Sequence, residues 1–194
     1  KTLVVGASGT TGKHLVEQLL KAGQTLKVIV RSTFNTPPHW IENENITIIK
    51  ANISEISSDE MIKQLSDCSA IASCLGHNIT LKGIFGKPRK LVTDSVSMIC
   101  DAIIKCNAEK PIKFVLMNTV AIRNKDLGEQ ISFIQKVMMG LIRILLPPQK
   151  DNEMAAEYLR LNFGMNNPYI EWTVIRPDSL TNEDKVTEYT LHAS

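Results

Sequence analysis

Gly6, Gly9 and Gly12 stand three residues apart in the run Gly6-Ala7-Ser8-Gly9-Thr10-Thr11-Gly12, between a short apolar segment and a helical one. Glycine at the first position permits a sharp turn. At the second it lets backbone approach a phosphate without a Cβ in the way, and at the third it lets a helix pack closely on a strand. With Ser8, Thr10 and Thr11 in the same turn and free amides at the helix start, the run fits a cradle for the pyrophosphate of a dinucleotide. The other reading is a tight strand-to-helix turn with no ligand. A second place of interest is Arg31-Ser32, where a dinucleotide lacking a 2′-phosphate would usually meet an acidic residue. A guanidinium holds a phosphate dianion through paired donors and the neighbouring hydroxyl adds another, so the pair favours NADP over NAD. Read without a ligand, Arg31 is a solvated charge at a strand end.

These residues need a strand–loop–helix–strand frame, and the apolar pattern supplies one. Thr2-Leu3-Val4-Val5 reads as a strand buried on both faces, and Leu15, Val16, Leu19 and Leu20 recur at helical spacing from Gly12 to Ala22. Strands are expected at Leu26–Val30, Ile46–Ile49, Ala70–Leu75, Ile112–Met117 and Ile170–Ile175, with a loop around Pro37-Pro38. Helices are expected from Ser58, as cap, to Leu65; along the stripe Val92, Val96, Ile99, Ile103 and Cys106; from about Gly128 to Leu146; and from about Asp151 to Phe163. Val186 to His192 reads as one more extended piece. Alternation of this kind gives one α/β unit over residues 1–194, a Rossmann-type doubly wound parallel sheet with right-handed connections.

With 194 residues, 43% hydrophobic and 22% charged, the chain buries a core without staples. Its formal charge of +2 argues against a nucleic-acid or anionic-membrane partner. Cys68, Cys74, Cys100 and Cys106 form no CxxC pair and only His77 lies near one, so reduced thiols in a cytoplasmic protein and no metal site are expected. Lys1 opens the chain without a methionine or a leader, so a few native terminal residues are expected to be missing. The stretch from Ile131 to Leu146 contains Gln135, Lys136 and Arg143 and stops at Pro147-Pro148, short and charged for a bilayer span. It reads as a buried or pocket-lining helix, with Met138-Met139 in the core rather than on a pocket lip or a partner-binding face. Trp40 and Trp172 read as packing residues, since a base-stacking platform would need companions in a basic groove.

The glycine run, Ala51-Asn52-Ile53 after the third strand, Cys74-Leu75-Gly76-His77 after the fourth and Arg176-Pro177 after the sixth resemble the short-chain dehydrogenase/reductase superfamily. The likeness is to its atypical, NmrA-like branch of NAD(P)-binding proteins, which includes flavin and biliverdin reductases. By that resemblance Asn52 and Ile53 border the adenine, Cys74, Leu75 and Gly76 pass the nicotinamide-side ribose, and Pro177 approaches the nicotinamide. Lys150 stands where the family's ribose-binding lysine is expected. Each position has a plain alternative: Asn52 caps a turn, the small residues of Ala70–Gly76 permit tight packing, and His77 is a proton donor or only a loop residue.

The family's catalytic tyrosine, with a lysine four residues later, is missing. Residues four beyond Tyr158, Tyr169 and Tyr189 are Asn162, Thr173 and Ala193, and four before Lys150 is Leu146. The family serine after the fifth strand is replaced by Asn118-Thr119, which either orient a substrate carbonyl or terminate a strand. A missing general acid costs about 10²–10⁴ in rate on an ordinary ketone, and less on an acceptor that takes its proton from water. Three readings follow: an NADPH-dependent reductase of a conjugated or quinone-like acceptor such as a flavin or tetrapyrrole; a non-catalytic NADP(H) sensor acting on a protein partner; or an assembly scaffold.

Overall fold

The computed structural model describes residues 1–78, 80–120, 122, 128, 132–178, 180–181 and 186–192, with backbone alone at 81, 82, 135, 136, 139 and 144. Along the chain run β1 (Thr2–Val5), α1 (Thr10–Lys21), β2 (Leu26–Val30), α2 (Pro38–Ile41), β3 (Ile46–Lys50), α3 (Ser58–Leu65), β4 (Ala70–Ser73) and α4 (Leu81–Phe85). There follow α5 (Leu91–Cys106), β5 (Ile112–Met117), α6 (Phe133–Leu145), α7 (Pro147–Phe163) and β6 (Ile170–Ile175). The six strands form one parallel sheet in the order β3-β2-β1-β4-β5-β6, a Rossmann-type doubly wound arrangement.

That order follows from burial. β1 and β2 are central, and their apolar runs are covered on both faces. On one face Val4, Leu26, Val28 and Val30 pack with Val16 of α1 and the fully buried Trp40. On the other, Leu3, Val5 and Ile29 join Ile71, Phe114 and Leu116 under Met61, Val96, Ile99 and Leu159 from α3, α5 and α7. β5 alternates instead, with Ile112, Phe114 and Leu116 inward and Lys113 and Val115 exposed. Trp40 is a packing residue as expected, and its indole donates to Glu17 at 2.6 Å.

The chain leaves β1 toward β2 and β3, then returns to β4 on β1's other side. Strand order reverses between β1 and β4, which opens a crevice beyond their C-terminal ends. In the register there, Val5 pairs with both Ile29 and Ser73.

Several expectations need correction. The cap of α3 is Ser57, whose hydroxyl accepts from the Glu60 amide; Ser58 is already helical. β4 ends at Ser73, two residues early, and the Pro37-Pro38 segment carries a 3₁₀ turn (Thr33–Asn35) and α2. Pro147-Pro148 does not precede a helix starting at Asp151 but begins α7, because a missing amide is no loss in a first turn. The region 129–131 lies outside the described residues, so α6 is described from Phe133. Val186–His192 pairs with no strand and is exposed.

The helix α6 differs most. Instead of being buried or lining a pocket, it carries Phe133 at 79%, Ile134 at 73%, Met138 at 55%, Leu141 at 54% and Leu145 at 64% exposure. The side chain of Met139 lies outside the described ones. Its apolar composition marked it as a buried helix, but its large side chains lie toward solvent.

The close packing of α1 on the turn after β1 gives a stability test. A Cβ placed on Gly12 would sit 2.2 Å from the Gly6 carbonyl oxygen and 2.8 Å from the Ala7 Cα, both backbone atoms. Gly12→Ala is therefore expected to cost about 3 kcal/mol through overpacking, read as a fall of about 6–12 °C in Tm; an unchanged Tm would show that α1 is not wedged against the turn.

Candidate functional site

The turn after β1 is built against the end of β4. Val5's carbonyl accepts the Cys74 amide at 2.9 Å, and a Cβ on Gly6 would lie 2.5 Å from the Cys74 carbonyl oxygen. Gly6 also has φ +75°, a conformation that glycine adopts without strain. Gly6 and Gly12 are thus demanded by the protein itself. Gly9 is not: its φ is −76° and a Cβ there would touch only the Gly6 carbonyl, at 3.4 Å, an ordinary contact.

The Gly9 amide closes the turn on the Gly6 carbonyl at 3.1 Å, but among the described residues no side chain caps the amides that follow it, and the first turn of α1 holds no acid. By contrast α3 is capped by Ser57, and the Asp151 carboxylate bonds the amides of Val92 and Thr93 at the start of α5. A helix N-terminus left open beside a bare Gly9 offers hydrogen-bond donors and positive potential to an anion, with no Cβ in the way. The residues fit the pyrophosphate of a dinucleotide.

Arg31 is exposed at the end of β2, on the same edge of the sheet. Ser32 accepts the Phe34 amide at 3.2 Å and so starts the 3₁₀ turn. Beyond β3, Asn52 is half-buried and locked in its own turn. Its side-chain oxygen accepts from the Ser54 amide at 3.3 Å and its amide group donates to Glu55 at 2.8 Å. Ile53 is 6% exposed and packs in the core.

Beyond β4, burial pushes the Cys74 thiol up to about 11, so it stays protonated near neutrality and is no thiolate nucleophile. Leu75 packs partly into the core, while Gly76 is exposed, with no atom within 4 Å of where a Cβ would stand. His77 turns inward: its Nε2 lies 2.8 Å from Asp151 Oδ2, both side chains almost wholly buried.

Asp151 is the residue that the sequence did not single out. Besides His77, it accepts from the amides of Val92 at 2.8 Å and Thr93 at 3.0 Å, and from the Thr93 hydroxyl at 2.6 Å. One carboxylate ties α7, the start of α5 and the segment after β4 together. Its only signal in the sequence was its place beside Lys150.

Lys150 itself is exposed in the first turn of α7. Asn118 is also committed, donating to the Asn152 carbonyl at 3.0 Å and accepting from the Thr119 amide at 3.0 Å. Thr119 is half-buried beside it. Val120 donates to the Pro177 carbonyl at 3.2 Å and Arg176 to the Ile122 carbonyl at 2.6 Å, which prolongs the β5–β6 pairing beyond both strands. Tyr158 is no substitute for the missing tyrosine. It lies on the core side of α7 against Phe163, ring centroids 5.9 Å apart, and burial raises its hydroxyl above the ordinary phenol value. Among the described residues there is no cluster of metal-ligating side chains and no helix long and apolar enough to cross a membrane.

Comparison with known proteins agrees with this geometry. The profile of a family described as NAD(P)H-binding matches residues 6–194. An uncharacterized chloroplastic protein of Arabidopsis thaliana is 27% identical over 183 residues, 94% of this chain; the chain spans about 60% of that relative's length. Among solved structures, a wide-type short-chain dehydrogenase/reductase from Veillonella parvula in complex with NADP is similar, with a TM-score of 0.68 at 15% identity, covering 96% of this chain and 73% of that one. The oxidoreductase ylbE of Lactococcus lactis gives 0.66 at 18% over 95% and 72%, and the anaerobillin reductase ChuY of Escherichia coli O157:H7 gives 0.59 at 13% over 91% and 71%. At these identities the structures share the fold.

The Asp151 node yields the test of this site's architecture. Asp151→Ala strips a cap from α5 and leaves buried donors unpaired, a loss of about 3 kcal/mol. Urea unfolding should show a lower midpoint with an unchanged m-value; a midpoint equal to the wild type's would mean that Asp151 does not hold these elements together.

Proposed function

Because the chain belongs to the NAD(P)H-binding family, we propose that it is an NADPH-dependent reductase of a conjugated or quinone-like acceptor, such as a flavin or a tetrapyrrole. The observation that carries this reading is the uncapped start of α1 beside a glycine that no protein contact requires, together with the absence of a tyrosine–lysine pair. The similar fold of the anaerobillin reductase ChuY supports the acceptor class.

In this assignment Ser8, Thr10 and Thr11 and the amides from Thr10 to Gly12 hold the pyrophosphate, with Gly6 shaping the turn and the Gly9 amide closing it on the Gly6 carbonyl at 3.1 Å. Arg31 and Ser32 hold the 2′-phosphate, which makes NADP the preferred coenzyme over NAD. Asn52 and Ile53 border the adenine, with the Ile53 side chain reserved for packing. Cys74, Leu75, Gly76 and Pro177 flank the nicotinamide half, and Lys150 reaches the ribose from the first turn of α7. Thr119, whose amide Asn118 fixes, orients the acceptor. When bound, NADPH supplies the hydride.

The residues around that position hold and orient, with no tyrosine to donate a proton. Acceptors whose reduced form takes its proton from water suit such a site. A non-catalytic NADP(H) sensor or assembly scaffold working through a protein partner is the alternative, favoured by the commitment of His77 and Asn118 to structural bonds. We assign no nucleic-acid or membrane partner and place the protein in the cytoplasm, a reducing compartment that suits its four free thiols.

Calorimetric titration with NADPH and NADH tests the coenzyme, followed by NADPH oxidation with flavin, quinone and tetrapyrrole acceptors. Turnover on one of these is expected; tight binding without turnover on any would establish the sensor reading instead. Arg31→Ala should weaken NADPH by roughly 10- to 100-fold and NADH by less than about twofold; equal losses would refute the phosphate assignment. Gly9→Val should fold with a near-normal Tm yet bind neither nucleotide, and retained affinity in that folded variant would rule out the proposed berth.

A further inference from the structure

The most exposed apolar helix face among the described residues is the outer face of α6. Ile134, Met138, Leu141 and Leu145 follow one another at intervals of four, three and four residues, which is one helical stripe. Phe133 and Val137, the latter 49% exposed, widen it on one side. Arg143, itself exposed, projects from the opposite side of the helix, where its Nε donates to both carboxylate oxygens of Glu153 of α7 at 2.7 and 3.0 Å. An amphipathic helix on a globular domain normally turns its apolar stripe to the core. A contiguous apolar patch of this size on a soluble chain marks a docking face.

We infer that this face is a two-fold interface in which α6 of one copy lies antiparallel on α6 of a second copy of the chain. Three observations select that occupant. First, the four-three-four spacing reads the same from either end. An antiparallel pair centred between Met139 and Gly140 therefore sets Ile134 opposite Leu145 and Met138 opposite Leu141, and repeats both pairs through the two-fold axis. Self-complementarity of this kind is what an isologous contact needs.

Second, the Arg143 guanidinium is held against α7. It lies on the opposite side of the helix from the stripe, so pairing brings no Arg143 charge against its symmetry mate. An anionic bilayer would find that charge facing away from it as well. Third, six large side chains between about half and four-fifths exposed amount to several hundred Å², of the order of the 800 Å² or so that each partner contributes to a stable dimer. Antiparallel packing also places the end of one helix dipole beside the start of the other, a favourable arrangement.

Sedimentation velocity on the purified protein over a roughly hundredfold concentration range tests this. Self-association to twice the 21.6 kDa chain mass is expected. Leu141→Glu should weaken it by at least about tenfold while circular dichroism and NADPH affinity stay as in the wild type, since Leu141 is exposed. Ile134→Lys and Leu145→Glu should each weaken the dimer alone. Combined in one chain they should restore part of it, because the two sites meet only across the two-fold axis. A wild type that stays monomeric throughout overturns the proposal, whether or not it floats with phosphatidylglycerol vesicles. So does a dimer that Leu141→Glu leaves intact, or a double variant as weak as the sum of its singles.

Discussion

The close passage of the β1–α1 turn against the end of β4 governs the C-terminal edge of the sheet. Parallel pairing of β1 with β4 sets Val5 beside Ser73, and one residue later the two backbones meet where no side chain fits between Gly6 and Cys74. A left-handed glycine satisfies that contact and turns the chain sharply back into α1, which must then sit down on the turn at Gly12. Two of the three glycines are consumed by this packing. The third has room for a Cβ, so packing within the chain does not account for it.

A second constraint fixes the other side of the same edge. α5 begins without a capping side chain of its own at Lys90, and its first amides are satisfied from α7 by Asp151. Because the same carboxylate also binds His77, the segment leaving β4 is fastened to two helices. A buried carboxylate with four donors is stable only when all are in place, since each missing one leaves uncompensated charge in a poorly solvated site. His77, which stood as a possible proton donor, is thereby held by the same carboxylate.

What could be read in the sequence was whatever depends on near neighbours in the chain. β5 and β6 run over the residues expected, because Pro111 and Arg176-Pro177 bound their apolar runs. The parallel sheet followed from alternation of strands with helices. The same local signals misled at Pro147, where a proline that ordinarily ends a helix starts one. The apolar composition of α6 also misled, since it carries no information on which way the helix faces. Asp151 was illegible for a related reason: its partners His77 and Thr93 lie 74 and 58 residues away, so no spacing rule links them. In the site, the glycine run was legible in type and position, but only three-dimensional contacts separate the glycines that packing requires from the one it does not.

α6 and α7 form one mechanical unit. Only Leu146 separates them, and its amide continues the helical pattern by bonding the Ile142 carbonyl at 2.7 Å. Arg143 and Glu153 clamp the two helices from the other side of that joint. Asp151 lies between the clamp residues in the chain, in the first turns of α7, and its carboxylate holds His77 and the start of α5.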